Sequence, residues 1–322
     1  MVNLSVEFCG VKFKNPLVLA SGILGITASS WRNAVKHGAG GVTTKSLWLH
    51  EHKGHRNPVI IANEHYMLNA VGVPDAGTQK AQEEIGKFLK WGEAPIIANI
   101  IAGSVHDFGE TAEEIAQIKP DILEVNISCP NVEDEFGKPF ACVAGDAARV
   151  TKEVKNRLAK MKLKIPVSVK LSPNVEDITE IAKAVADAGA DALTVMNSAG
   201  PGMAINIETR MPILANKVGG LTGPALKPLA VKLIYDIRRA GIKIPIIGTG
   251  GILTGRDAIE MMMVGATLIG IGTGVHYRGV EIFKKITDEM EEWCQENKVK
   301  KITDIIGSVH VIASAAKRSE AI

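Results

Sequence analysis

One stretch, Asn126-Ile127-Ser128-Cys129-Pro130-Asn131, sets a thiol among carboxamides. Pro130 ends the strand-like run before it and turns the backbone into a loop, leaving Cys129 at the loop's base. Cys9, Cys142 and Cys294 lack such neighbours and read as small core residues. The amides of Asn69, Asn126, Asn131 and Asn197 can pair with the alternating carbonyl and N–H groups of a pyrimidine-like ring. Singly, each asparagine also suits a turn, Asn131 above all because it follows Pro130. Lys45 and Lys170 close β-rich runs, where an inward ammonium needs an anionic or hydrogen-bonding partner; a substrate carboxylate or a reduced flavin would supply one, and snorkelling to solvent is the bland alternative. Two glycine motifs, Thr249-Gly250-Gly251 and Gly270-Ile271-Gly272-Thr273-Gly274, can aim backbone N–H groups at a phosphate with no Cβ in the way. Either motif alone fits an ordinary tight turn equally well; the two together, in this order, favour phosphate.

Eight β-rich runs must position these groups: residues 16–22, 41–46, 95–100, 122–128, 166–172, 192–198, 245–251 and 266–273. Amphipathic stretches with charged outer faces separate them, for example 146–161 and 175–188, which read as helices. This alternation predicts an α/β fold, a (β/α)₈ TIM barrel, whose chemistry sits at the C-terminal ends of the strands. The converging set is then Ser21, Lys45, Ser46, Asn99, Asn126, Cys129, Lys170, Asn197, Ser198, Gly250, Gly251, Gly272 and Thr273. An open doubly wound sheet is disfavoured because no G-x-G-x-x-G follows the first strand. Residues 4–8 and 11–13 flank Cys9-Gly10 and read as an N-terminal β-hairpin plugging the opposite mouth. No linker or low-complexity tract divides residues 1–322, so a single domain is expected, with long insertions after strands 4 and 6 at about 130–145 and 199–227.

Composition narrows the function. A formal net charge of +2 gives no footprint for nucleic acid. Neither a signal-like N-terminus nor an uninterrupted apolar stretch of about 18 residues occurs, so no membrane association and a cytoplasmic location are expected. The four cysteines form no C-x-x-C pair, which argues against an iron–sulfur or zinc site built from this chain alone. No metal is expected, and His50, His52 and His55, close together after the second strand, read as a solvated loop rather than a metal site.

The hexapeptide at 126–131, Leu-Asn-Ala-Val-Gly at 68–72, Thr-Lys-Ser at 44–46 and Gly-Gly-Leu-Thr-Gly-Pro-Ala-Leu-Lys-Pro at 219–228 resemble the class 1 dihydroorotate dehydrogenases nearly end to end. The stretch Glu-Thr-Arg-Met-Pro-Ile-Leu-Ala-Asn at 208–216 resembles the 1B branch. The resemblance implies FMN held by Ser21, Lys45, Ser46, Asn99, Asn126, Lys170, Met196, Gly223, Gly250, Gly251, Gly272 and Thr273. It implies dihydroorotate or orotate held by Lys45, Asn69, Ala70, Val71, Gly72, Val73, Asn126, Asn131, Asn197 and Ser198. Cys129 would be the general base, where the membrane-linked class 2 enzymes carry serine, and Lys45 would bridge cofactor and substrate. It also implies a partner subunit carrying FAD and a [2Fe–2S] cluster that passes electrons to NAD⁺, and a homodimer at the core of a heterotetramer. Two alternatives share the cup. One is an FMN-dependent reductase of uracil-type bases, suggested by a likeness of Phe140-Ala141-Cys142 to the dihydropyrimidine dehydrogenases. The other is a non-redox phosphate-binding isomerase or aldolase with a Schiff-base lysine.

Overall fold

Each of the eight β-rich runs forms a strand, and the strands close into a parallel barrel in the computed structural model, which describes residues 2–128 and 139–309. In chain order the strands are β1 (Val6–Phe8), β2 (Val11–Phe13), β3 (Leu17–Leu19), β4 (Gly41–Thr43), β5 (Ile60–Ala62), β6 (Met67–Asn69), β7 (Ile96–Ile100) and β8 (Ile122–Asn126). They continue with β9 (Val167–Lys170), β10 (Ala192–Val195), β11 (Ala199–Met203), β12 (Ile205–Asn206), β13 (Met211–Pro212), β14 (Val218–Thr222), β15 (Ile246–Thr249) and β16 (Leu268–Ile271). The barrel runs β3-β4-β7-β8-β9-β10-β15-β16 and closes where Leu17, Val18 and Leu19 pair with Ile269, Gly270 and Ile271.

Its strands are buried on both faces, so they read as near-continuous apolar runs rather than alternating ones. The intervening helices each bury one stripe: Ala144–Lys160 turns Ala147, Val150, Val154 and Leu158 inward at three- and four-residue spacing. Helix Ile178–Asp187 starts where the Asp177 side chain accepts from the Thr179 N–H.

The hairpin forms as expected, β1 and β2 pairing antiparallel about a turn in which Cys9 (φ 52) and Gly10 (φ 81) are left-handed. It sits on the N-terminal mouth. Phe8 and Phe13 are buried, and a Cβ on Gly41, the first residue of β4, would lie 2.6 Å from the Phe13 ring. The Cys9 thiol donates to the carbonyl of Asp191, immediately before β10. Asn3 and Lys301 form a parallel bridge, with the Asn3 N–H on the Lys300 carbonyl at 2.9 Å.

The insertion expected after β10 is present, and it contains the strands β11 to β14. Two insertions were expected, and the structure adds a further one between β4 and helix Thr78–Trp91. Its short strands β5 and β6 join β14 and β11 in a four-stranded antiparallel sheet, order β11-β14-β6-β5. Three-residue strands set among charged and polar residues carry too little periodicity to be read from sequence. Most of the insertion after β8, with Cys129 and Asn131, lies outside the described residues.

Candidate active site

The strand ends and the inserted sheet enclose a cavity of about 470 Å³, within the usual range for a small-molecule site. Of the residues expected to hold a cofactor, Ser21, Lys45, Ser46, Asn126, Lys170, Met196, Gly223, Gly250, Gly251, Gly272 and Thr273 line it. So do Asn69, Val71, Val73, Asn197 and Ser198 of the expected substrate set. Within 69–73 only alternate residues reach the cavity. Ala70 and Gly72 do not: Ala70 packs in a satellite core with Leu68 and Leu214, and a Cβ on Gly72 would strike the His55 ring at 2.7 Å.

Asn99 is also displaced from its expected place. It is fully buried in the barrel, its Nδ2 donating to Glu124 Oε1 at 2.5 Å, while its Oδ1 has no partner among the described residues.

A web of amides and hydroxyls fixes one side of the cup. Asn126 Nδ2 donates to Ser46 Oγ at 3.1 Å, and Asn126 Oδ1 accepts from the Ser128 hydroxyl at 3.1 Å and from Asn197 Nδ2 at 3.3 Å. Asn197 Nδ2 also donates to Ser128 Oγ at 3.0 Å. Ser128 was missed in the sequence, although it stands two residues beyond Asn126 and so belongs to the same face of an extended chain.

Two cations line the same cup, Lys170 paired in register with Asn126 on the neighbouring strand and Lys45 next to Ser46 in the chain. Lys170 is buried, and its ammonium has no hydrogen-bond or ion-pair partner among the described residues. Lys45 is partly buried; desolvation pushes its ammonium below the usual lysine range, partly offset by the negative charge of Asp75. Asp75 Oδ2 is engaged by the Trp48 and Gly77 N–H groups. Uncommitted buried ammonium groups are costly unless a ligand anion meets them.

Both glycine motifs lie at one end of the cavity. The backbone N–H groups of Gly250, Gly251, Gly272, Thr273 and Gly274 donate no hydrogen bond within the described residues, an arrangement suited to an anion. Gly272 is informative because the protein itself does not demand glycine there. Its φ is not left-handed, and a Cβ would meet nothing nearer than Ala20 Cβ at 3.7 Å. What such a Cβ would crowd is the cavity. The loops behind are braced by Arg278, which donates to the Leu253 carbonyl at 2.6 Å and to Glu289, whose other oxygen accepts from the Gly255 N–H.

The inserted sheet supplies cavity residues that the sequence did not single out, among them Ile60, Met67 and Thr222. Val73 holds a left-handed backbone (φ 47), strained for a β-branched residue, and its carbonyl accepts from Trp48 Nε1 at 3.0 Å and contacts His52 Nδ1 at 3.2 Å. His52 and His55 are therefore half-buried and bound to backbone carbonyls, not the solvated loop expected of them. Phe140-Ala141-Cys142 forms a 3₁₀ turn outside the cavity lining, with the Ala141 N–H on the Ile127 carbonyl and Phe140 edge-on to Phe108.

Fold and site together define a (β/α)₈ barrel with a cationic, amide-rich cup and a row of unbonded backbone N–H groups suited to an anion. The family model described as dihydroorotate dehydrogenase matches residues 3–294. The chain belongs to the dihydroorotate dehydrogenase family. It is 43% identical over 310 residues to the "Dihydroorotate dehydrogenase B (NAD(+)), catalytic subunit" of Methanocaldococcus jannaschii, covering 95% of this chain and 98% of that one. The protein of the same name from Citrifermentans bemidjiense is 37% identical, with 96% and 99% covered. The fold matches the crystal structure of DHODH from Eimeria tenella in complex with ferulenol at a TM-score of 0.82 and 22% identity, over 95% of this chain and 88% of that one.

Proposed function

We propose that this chain is the FMN-bearing catalytic subunit of an NAD-linked dihydroorotate dehydrogenase, oxidising dihydroorotate to orotate in pyrimidine biosynthesis. The observation that carries this reading is one cavity combining unbonded backbone N–H groups at one end, two uncommitted ammonium groups and a fixed array of amides. The unbonded N–H groups beside Gly272 fit the phosphate of FMN, and Lys170, Ser46 and Asn126 surround the space for its ring. When bound, FMN supplies the two-electron acceptor for the hydrogen leaving C6 of the substrate. Cys129 takes the C5 proton as general base. Asn69, Asn126, Asn197 and Ser198 pair with the ring's carbonyl and N–H groups, Asn131 adds a further contact, and Lys45 balances the substrate carboxylate.

An acidic substrate separates this reading from a reductase of uracil-type bases, which would have no carboxylate for Lys45 to meet. Phe140-Ala141-Cys142, part of the loop that suggested that alternative, lies outside the cavity lining, while Glu133, Asp134 and Glu135 of the same loop lie outside the described residues.

Electron exit belongs to the same proposal. The chain has no C-x-x-C pair, and the relatives carry "NAD(+)" and "catalytic subunit" in their names, which supports a separate subunit with FAD and a [2Fe–2S] cluster. The β12–β13 ribbon supports a homodimeric core: Ile205, Ile207 and Met211 are exposed, Ile207 at 73%. No helix among the described residues is long and apolar enough to cross a membrane, which is compatible with the cytoplasmic placement we propose, and the main core cluster runs from Leu4 to Ile305, in keeping with one domain.

The test is the absorption spectrum of the purified chain before and after anaerobic dihydroorotate. A yellow protein bleached by dihydroorotate, and reducing NAD⁺ only after the partner is added, is the expected result. Persistent oxidised-flavin absorbance at saturating dihydroorotate overturns the substrate, and a colourless protein that reconstitutes with no FMN overturns the cofactor.

A further inference from the structure

Among the buried residues described, Glu124 (2% exposed) and Lys170 (6%) are the only charged side chains. They stand on adjacent strands, with Glu124 opposite Ser168 and Asn126 opposite Lys170, so that Lys170 lies one interior step nearer the cavity. No ion pair joins them. Both carboxylate oxygens are taken instead: Oε1 accepts from Asn99 Nδ2 at 2.5 Å, and Oε2 accepts from the Thr194 hydroxyl at 2.5 Å. With its proton so used, Thr194 can only accept from Ser168, 3.0 Å away. Four neighbouring strands thus share one polar layer beneath the cup.

Nothing in that hydrogen-bonding pattern requires a charge. A glutamine could accept from Asn99 and donate to Thr194, with the two hydroxyls reversed. A buried carboxylate with no bonded cation is costly unless a positive charge nearby balances it. The geometry points to Lys170 as that charge and to Glu124 as a tethered counter-ion for the floor of the cup. Asn99 and Thr194 hold the carboxylate back, so it balances the ammonium without capping it. The Lys170 N–H groups stay available to the cavity, while the charge they present to an uncharged ring is offset. When the ring gains negative charge, the ammonium is already in place and uncommitted. Glu124 is therefore a positioning residue that sets how strongly the site favours the reduced over the oxidised cofactor. This inference rests on the proposed reading that FMN occupies the cup.

The variant E124Q keeps shape and hydrogen bonds while removing the charge. Its bound FMN, titrated against a reference dye, should favour the reduced over the oxidised form by roughly tenfold or more relative to the native protein, which for two electrons is about 30 mV upward. E124D, which keeps the charge, should return the ratio to within about threefold of native. An E124Q protein that binds FMN and retains the native potential overturns the inference.

Thermal melting of the FMN-free proteins provides a second measurement that does not depend on the cofactor. E124Q and K170M should each lower the melting temperature more than the double variant E124Q/K170M does, and strictly additive losses overturn the pairing. Where E124Q alone does not fold, recovery of the fold by K170M in the same chain supports it, and a double variant that also fails to fold overturns it. A chain that takes up no FMN refutes the functional reading, while the melting cycle still decides whether the two charges are paired.

Discussion

The two mouths of this barrel are built from the same eight strands to opposite ends. At the N-terminal mouth the hairpin inserts Phe8 and Phe13 against the strand starts, burial leaves no room even for a methyl on Gly41, and the Cys9 thiol is pushed up to about 12, chiefly by desolvation and then by Asp191. At the C-terminal mouth polar groups are left unmatched among the described residues: two ammonium groups and a row of backbone N–H groups. One end gains stability from complete burial. The other withholds it, and the withheld partners describe a ligand.

If that division is right, substitutions at the two ends should separate in what they change. Phe8→Ala should lower the unfolding free energy by about 3–5 kcal/mol, measured by urea denaturation, while leaving FMN content unchanged in the folded protein. Loss of FMN without loss of stability would erase the distinction. Cys129→Ala should do the reverse, slowing anaerobic flavin reduction by on the order of 10²-fold or more in stopped-flow with an unaltered melting temperature. Near-native reduction rates across the pH range would remove Cys129 as the base.

Gly272→Ala sharpens the comparison further. With 3.7 Å between the new Cβ and Ala20, the FMN-free protein should melt as the native one does. The dissociation constant for FMN should rise by roughly tenfold, because the methyl occupies ligand space. An equal loss of apoprotein stability would mean that the glycine serves the fold.

The smallest effect concerns Lys45. Its burial lowers the ammonium from 10.5, so between the lowered value and 10.5 the unfolded chain binds more protons than the folded one, and this residue's contribution to stability rises with pH there. Binding of orotate, which needs the ammonium, should weaken by a few-fold over the same rise. Lys45→Met should flatten both dependences; an unchanged orotate profile would show that the carboxylate is met elsewhere.

The barrel strands and the hairpin were legible because each strand is a short apolar run ending in a small or polar residue, so strand ends and site residues are found by one reading. Positions that act through alternation were harder. Ser128 and Glu124 flank Asn126 at a spacing of two, and only knowing which face of the strand turns inward makes Glu124 more than a polar residue in an apolar run. Asn99 was found by its place at a strand end, yet its amide is committed one layer down because Glu124 stands beside it on the next strand. The sheet made of β5, β6, β11 and β14 joins segments about 150 residues apart, as in Asn69 opposite Gly220, and pairing over that distance leaves no local pattern.

Closure of the barrel between β16 and β3 also has a consequence for the order in which the molecule is made. The first barrel strand pairs on one side with β4 soon after both are synthesised, but its other side waits for Ile269, Gly270 and Ile271. At roughly 5–20 residues per second, the roughly 250 residues between them take on the order of 12–50 s to emerge. For that interval the Leu17–Leu19 edge is open, apolar and able to pair with another chain. The nascent polypeptide is thus most exposed to aggregation before its last strand leaves the ribosome, at the edge that becomes an ordinary barrel seam once folding is complete.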